Sequence, residues 1–117
     1  MFKIGDFSKM SKVTIKALRY YEKEGLIIPS YIDEFTGYRY YESKQLLEIS
    51  RIVSLRQIGL SIDEIKKIIK NNEPLDKILE IKKGEIENTI NEYNYQLSKI
   101  NYLLEEKDMK EEIFEKV

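Results

Sequence analysis

The chain has 117 residues, of which 20 are Lys or Arg and 21 are Asp or Glu, and it contains neither His nor Cys. This length suits one compact domain with an appendage, and the missing residues exclude disulfides, thiolate zinc sites, cysteine-ligated iron–sulfur clusters and His-based catalytic triads. We therefore expect no metal and no cofactor. Since no signal-peptide pattern and no bilayer-length apolar run is present, we also expect a cytoplasmic protein with no membrane partner.

The charges divide unevenly along the chain. Residues 1–60 contain ten basic and seven acidic side chains, whereas residues 61–117 contain ten basic and fourteen acidic ones. All four arginines lie in the first half, and Arg is well suited to bidentate recognition of phosphate. The pattern indicates a basic head, residues 1–72, followed by an acidic helical remainder.

Two short helices are predicted within about residues 4–23. The first begins at Ile4 and ends near Lys9, with Ile4, Phe7 and Met10 on one face. We expect Ser11 to cap the second helix, from about residue 12 to 23, and Gly25 to end it in a left-handed conformation. Its inner stripe has helical spacing and consists of Val13, Ala17, Leu18 and Tyr21. Two helices joined by so short a turn are typical of a helix-turn-helix.

A β-hairpin, or wing, is predicted over about residues 27–41. Pro29 favours extended backbone before it and suits only a strand edge. Asp33 and Gly37 supply the turn. Because a lone hairpin is marginally stable in water, the wing must pack on the helices or on a ligand.

Two further helices complete the predicted head. Ser43 is expected to begin the third helix, which runs to about Ile58 before Gly59. Ser61 and Glu64 form a capping-box pattern that opens the fourth helix, which runs through Lys70. The apolar residues predicted for the third helix are Leu46, Leu47, Ile49, Ile52, Val53 and Leu55.

A heptad pattern predicts one long helix over residues 75–106. Alternating steps of four and three residues form a coiled-coil seam, made of Leu79, Ile86, Ile90, Tyr93, Leu97, Ile100 and Leu104. So small a head offers no surface for a helix of about 38 Å between Leu79 and Leu104, which favours a second copy as its partner. The alternative is an amphipathic helix that folds back on its own head. Residues 107–117 are predicted to be a C-terminal tail that frays or docks through Met109, Ile113 and Phe114.

The second helix is the first candidate binding surface. Four of its donors lie off the inner stripe and suit base edges and phosphate oxygens, namely Thr14, Lys16, Arg19 and Tyr20. The alternative is that Lys16 and Arg19 are ordinary solvated charges paired with Glu22 or Glu24. The helix-turn-helix spacing favours nucleic-acid binding over this alternative.

The end of the wing is the second candidate surface. Strand alternation places Tyr38 and Tyr40 on one side and Arg39 and Tyr41 on the other. Tyr38 and Arg39, which are nearest the turn, are the predicted nucleic-acid contacts. Tyr40 and Tyr41 are predicted to belong to the core.

The sequence predicts no enzyme. Its paired acids, such as Asp63 and Glu64, lie at helix ends or turns where capping and solvation explain them. Its five glycines are spread singly, so no phosphate-cradling glycine loop is present.

In this order the motifs resemble the MerR family of bacterial transcription regulators, and especially its multidrug-responsive, BmrR-like branch. The resemblance covers about residues 2–70 and continues to about residue 106 through the coiled coil. The matching segments are Ile4-Gly5-Asp6-Phe7-Ser8, residues 13–22, Gly25-Leu26-Ile27 with Pro29, Gly37-Tyr38-Arg39-Tyr40-Tyr41 and residues 58–65.

The resemblance implies a mainly α fold, with a winged helix-turn-helix head of four helices and a wing, followed by a long helix that forms an antiparallel coiled-coil homodimer. It implies that the dimer binds double-stranded promoter DNA at a palindrome, bends and untwists the spacer, and so acts indirectly on RNA polymerase. Carried over by position, the predicted DNA contacts are the six residues Thr14, Lys16, Arg19, Tyr20, Tyr38 and Arg39.

The chain departs from the family pattern after the coiled coil. The cysteines of the metal and redox sensors are missing, and no effector domain follows, so the expectation is a truncated chain, a naturally short regulator or one signalled by a protein partner. Two alternative functions stay open. One is a dimeric protein–protein adaptor that uses the Ile113 and Phe114 end. The other is a small-molecule sensor that uses Tyr93, Tyr95 and Tyr102 in the dimer cleft.

Overall fold

The computed structural model describes the backbone of residues 1–116 and the side chains of residues 1–111. It divides into two compact units, Met1–Glu73 and a second unit that begins at Pro74. The predicted Ile113 and Phe114 contacts lie outside the described side chains, so the adaptor hypothesis gains no structural support.

The first unit combines four helices with a small antiparallel sheet. Its elements are β1 (Phe2–Lys3), α1 (Ile4–Ser11), α2 (Ile15–Lys23), β2 (Tyr31–Ile32), β3 (Arg39–Tyr41), α3 (Gln45–Gln57) and α4 (Ile62–Lys70). The strand order is β1-β3-β2, so the predicted wing hairpin is confirmed as β2–β3, and β1 adds a third strand that the sequence analysis did not predict. Lys3 pairs with Tyr40 in β1–β3, and Tyr31 pairs with Tyr40 in β2–β3. A strand of two residues carries no alternation, which is why β1 escaped the sequence analysis.

The start of α2 differs from the prediction. Ser11 is the last residue of α1, and Thr14 caps α2, since its Oγ1 accepts a hydrogen bond from the Ala17 amide at 3.1 Å. Lys12 has φ +60° and ends α1 in a left-handed conformation. The turn between the two helices therefore occupies residues 12–14, and a helix that began at Lys12 would leave no room for it.

The end of α2 agrees with the prediction. Gly25 has φ +74°, and its amide donates to the Glu22 carbonyl at 2.9 Å while the Leu26 amide donates to the Tyr21 carbonyl at 2.8 Å. These two bonds form a Schellman motif, which satisfies the last carbonyls of the helix.

The core of the head lies between the helices and β3. Leu18 from α2 is fully buried, and the ring of Phe7 stacks on that of Tyr41 with centroids 4.5 Å apart. Met10, predicted to face inward, is half-exposed, and Leu47 is 79% exposed. The side chains with almost no exposure are Phe7, Leu18, Ile27, Tyr41, Ile49, Ile52, Leu60 and Ile65.

The Tyr41 hydroxyl is buried without a hydrogen-bond partner among the described residues. Burial, followed by the charge of Glu22, raises the pKa of Tyr41 above its ordinary value of 10.0. A buried hydroxyl that has lost water and gained no partner destabilises the folded state.

We therefore expect Tyr41→Phe to raise the free energy of unfolding by about 1 kcal/mol at pH 7. The folded pKa lies above the unfolded one, so the unfolded chain loses the proton first and the wild type becomes less stable as the pH rises above about 10. The gap between variant and wild type should widen there. Urea unfolding at pH 7 and pH 10.5 measures both effects, and a less stable variant at pH 7 would contradict the assignment.

The third helix begins at Gln45, two residues after the predicted Ser43. No side-chain bond caps this helix at Lys44; the buried side chain of Gln45, its first residue, instead bonds to preceding segments: its Oε1 accepts from the Glu42 amide at 2.9 Å and from Ser30 Oγ at 2.8 Å, and its Nε2 donates to the Ile28 carbonyl at 2.6 Å. One side chain thus joins the start of α3 to the segment that leads into the wing.

The fourth helix begins as predicted. Ser61 Oγ accepts from the Glu64 amide, and Glu64 Oε1 accepts from the Ser61 amide, both at 3.1 Å. This reciprocal capping box satisfies two amides that have no partner within the helix.

The second unit is built on one helix, α5 (Leu75–Lys116), of 42 residues. At 1.5 Å per residue it is about 63 Å long. The helix continues past Lys107, where the sequence analysis placed the start of a tail. None of the described helices is long and apolar enough to cross a membrane.

Candidate nucleic-acid interface

One face of α2 is exposed and rich in donors. Lys16, Arg19 and Tyr20 are exposed on the helix, whereas Leu18 is fully buried on its other side. Thr14 is also exposed, and its Oγ1 accepts the capping bond from Ala17. The structure therefore places all four residues predicted on this helix at the surface.

The acids near this face are engaged by other elements. Glu22 accepts from Arg39 Nε of β3 at 2.6 and 2.9 Å, and Glu24 accepts from Lys66 Nζ of α4 at 2.5 Å. The hydrogen bond from Lys66 lowers the pKa of Glu24 below its ordinary value, and the same bond raises the pKa of Lys66. Among the described residues, Lys16 and Arg19 consequently have no ion-pair partner. The alternative in which Glu22 or Glu24 neutralises them is wrong.

The turn of the wing is held by its own backbone and one carboxylate. Asp33 Oδ1 accepts from the amides of Thr36 at 2.9 Å and Phe35 at 2.8 Å, and these bonds lower the pKa of Asp33. Gly37 has φ +73°, which favours glycine. The predicted turn residues are therefore the ones that shape the turn.

The two predicted wing contacts have different surroundings. Tyr38 is 54% exposed. Arg39 is about one-third exposed at its side chain, and its Nε is bound by Glu22. Arg39 thus joins the wing to α2, a role that the sequence analysis did not assign to it.

A cleft of about 410 Å³ is lined by residues of α2, the wing and the start of the chain. Arg19, Tyr38 and Arg39 line it, together with residues 3–6. Thr14, Lys16 and Tyr20 are not among its lining residues. The residue that the sequence analysis missed is Lys3, whose Nζ lies 5.2 Å from the centroid of the Tyr38 ring.

The comparison with known proteins identifies the family. A family model described as "MerR HTH family regulatory protein" matches residues 2–72, more than half of the chain. The chain belongs to the MerR family. The predicted resemblance is therefore confirmed over the whole head.

Two of the relatives of this MerR-family chain come from Bacillus subtilis (strain 168). The multidrug-efflux transporter 1 regulator is 48% identical over 66 residues, which are 56% of this chain and 24% of the relative. The multidrug-efflux transporter 2 regulator is 40% identical over 95 residues, which are 78% of this chain and 34% of the relative. The chain thus spans between about a quarter and a third of these curated relatives. The predicted similarity to the multidrug-responsive branch is confirmed.

A solved structure supports the same assignment. The EcmrR protein in a cryo-electron microscopy structure of an EcmrR–DNA complex superimposes with a TM-score of 0.76 at 42% sequence identity. The match covers 92% of this chain and 40% of EcmrR. The fold predicted for the MerR-family chain, a winged helix-turn-helix head followed by a long helix, is therefore confirmed.

The predicted dimerisation residues all lie on α5. Their side chains are between 37% and 62% exposed, although most are large and apolar. Tyr95 and Tyr102 are one heptad apart on a different face from Tyr93, so the three tyrosines of the small-molecule hypothesis do not share one surface. No group of three or more metal-binding side chains is found among the described residues.

Proposed function

We propose that this MerR-family protein is a DNA-binding transcription regulator that acts as a homodimer, without catalytic activity. The observation that carries the proposal is the exposed face of α2, where Lys16 and Arg19 have no ion-pair partner among the described residues because Glu22 and Glu24 are bound elsewhere. Lys and Arg side chains that are not already paired with an acid can neutralise the phosphates of a nucleic acid. The EcmrR structure is a DNA complex and the Bacillus relatives are regulators, which supports the same function.

The dimensions of α2 suit the major groove. An α-helix with its side chains is about 10–12 Å across, and the major groove of B-form DNA is about 12 Å wide. In this arrangement Thr14, Lys16, Arg19 and Tyr20 contact base edges and phosphates. The wing contacts the flanking backbone through Tyr38. Arg39 is held by Glu22 at its Nε and by the Gly37 carbonyl at its Nη1, so it contacts DNA through its other N–H donors.

The seam of α5 requires a second copy, and its charges favour an antiparallel one. In a parallel pair each seam residue meets its own copy, so Asp76, Lys83 and Lys107 would each face a like charge. In the antiparallel register that places Ile90 against the partner's Tyr93, Asp76 faces the partner's Lys107. This register matches six of the seven apolar seam residues with one another, places Ile100 against the partner's Lys83, and opposes the unlike charges of Asp76 and Lys107 near both ends.

A dimer of this kind carries two heads and therefore recognises a palindrome. As the family resemblance implies, such a dimer bends and untwists promoter DNA and acts on RNA polymerase through the DNA. The deformation energy is offset by phosphate contacts from both heads.

We expect the wild-type protein to bind duplex DNA from its own upstream region with an affinity that falls steeply with salt. Each neutralised phosphate contributes about −0.9 to the slope of log K against log salt. Fluorescence anisotropy from about 50 to 200 mM salt measures the slope, and a scrambled duplex of equal length is the control. No binding at the lowest salt concentration would overturn the proposed function.

A further inference from the structure

Lys3 is positioned by the sheet rather than by its neighbours in sequence. In β1 it pairs with Tyr40 of β3, the second strand of the wing. This pairing places the start of the chain beside the wing. Its Nζ then lies over the Tyr38 ring at 5.2 Å from the centroid. A cation at this distance is attracted by the face of the ring, so the ammonium group is oriented without being paired to an anion.

The charges of the cleft leave Lys3 available for an anion. Among the described residues, the side chains of Lys3 and Arg19 have no hydrogen-bond or ion-pair partner, whereas Arg39 is bound by Glu22. Asp6 is the one acid among the lining residues. The cleft therefore presents two uncompensated cations against a single exposed carboxylate.

The position of the cleft indicates which anion it binds. Arg19 of α2 and Tyr38 of the wing both line it. In the proposed function both elements contact the same duplex, so the backbone between those contacts passes the cleft. The anion next to the cleft is then a phosphodiester group of the DNA backbone.

We infer that Lys3 contacts a DNA backbone phosphate in this cleft, with its ammonium group held over Tyr38 and donating to a non-bridging oxygen. The inference rests on the proposed function and adds a contact to it. The contact reads no base, so it contributes affinity and position rather than sequence preference. Each head of the dimer supplies one such contact, so the dimer makes two.

The test compares Lys3→Gln with Lys9→Gln in the full chain. Both variants lose one positive charge from an exposed side chain, but Lys9, in the last turn of α1, does not line the cleft. We expect Lys3→Gln to weaken binding about tenfold per half-site, equally for specific and scrambled duplexes. The salt slope should decrease by about 2 per dimer. Lys3→Arg should restore most of the affinity.

A Tyr38→Leu background separates a local contact from a general charge effect. Without the ring the ammonium group loses its support, so the additional effect of Lys3→Gln should shrink. Equal losses of affinity and equal salt slopes for the Lys3 and Lys9 variants would overturn the inference. The proposed function would still stand in that case, provided that the wild-type protein binds DNA. Thermal unfolding of both variants should match the wild type, because both side chains are exposed.

Discussion

Replacing Tyr93 with Asp is expected to convert the dimer into a monomer and to lower operator affinity by about 10²- to 10⁴-fold. In the antiparallel register Tyr93 meets the partner's Ile90 next to the two-fold axis, so each dimer would bury two unpaired carboxylates side by side. Burying an unpaired charge costs several kcal/mol. A monomer then loses the second head and with it the gain from binding two half-sites at once.

Tyr95→Asp is the matched control. The two tyrosines are 62% and 64% exposed on the same helix, but Tyr95 lies off the seam and close to Lys99, whose Nζ is 5.6 Å from its ring centroid. Analytical ultracentrifugation should show a monomer for Tyr93→Asp and a dimer for Tyr95→Asp. If both variants remain dimers with wild-type affinity, the seam has been assigned to the wrong face of α5.

Replacing Arg19 with Ala is expected to weaken specific DNA binding by about 1–3 kcal/mol per half-site, which is roughly fivefold to 150-fold. Arg19 is exposed and has no ion-pair partner among the described residues, so its removal deletes a donor without disturbing the fold. Anisotropy titrations measure the loss, and thermal unfolding should match the wild type.

Arg51→Ala is the control for this prediction. Arg51 is also an exposed arginine, but it lies on α3 and does not line the cleft. Equal losses for the Arg19 and Arg51 variants would show that only net charge matters. Arg39 is a less direct probe, because its removal would also leave the half-buried Glu22 without its cation and loosen the wing.

Features that depend on neighbouring residues were predictable from the sequence. Gly25 ends α2, Ser61 and Glu64 cap α4, and Asp33 with Gly37 forms the wing turn, as expected. Each of these involves hydrogen bonds that span at most five residues. The heptad of α5 belongs to the same class, since helical period alone places its apolar residues on one face.

The exact helix starts were less predictable, because several residues compete for each one. Ser11 and Thr14 are both good caps, and the left-handed Lys12 decided between them. At α3 the helix begins after the expected serine, its N-cap Lys44 makes no side-chain capping bond, and the Gln45 side chain binds the distant Ile28 carbonyl. A contact across 17 residues leaves no local pattern.

The amino-acid sequence thus determined the family, the helices and the residues at the surface of α2. Only the tertiary structure decided whether the basic residues among them are paired with an acid. Glu22 binds Arg39 across 17 residues and Glu24 binds Lys66 across 42, which leaves Lys16 and Arg19 uncompensated. It also brought Lys3 to Tyr38 through the pairing of β1 with β3. The physical reason is that caps and turns are satisfied within one segment, whereas the partner of a charge depends on which segments the folded chain brings together.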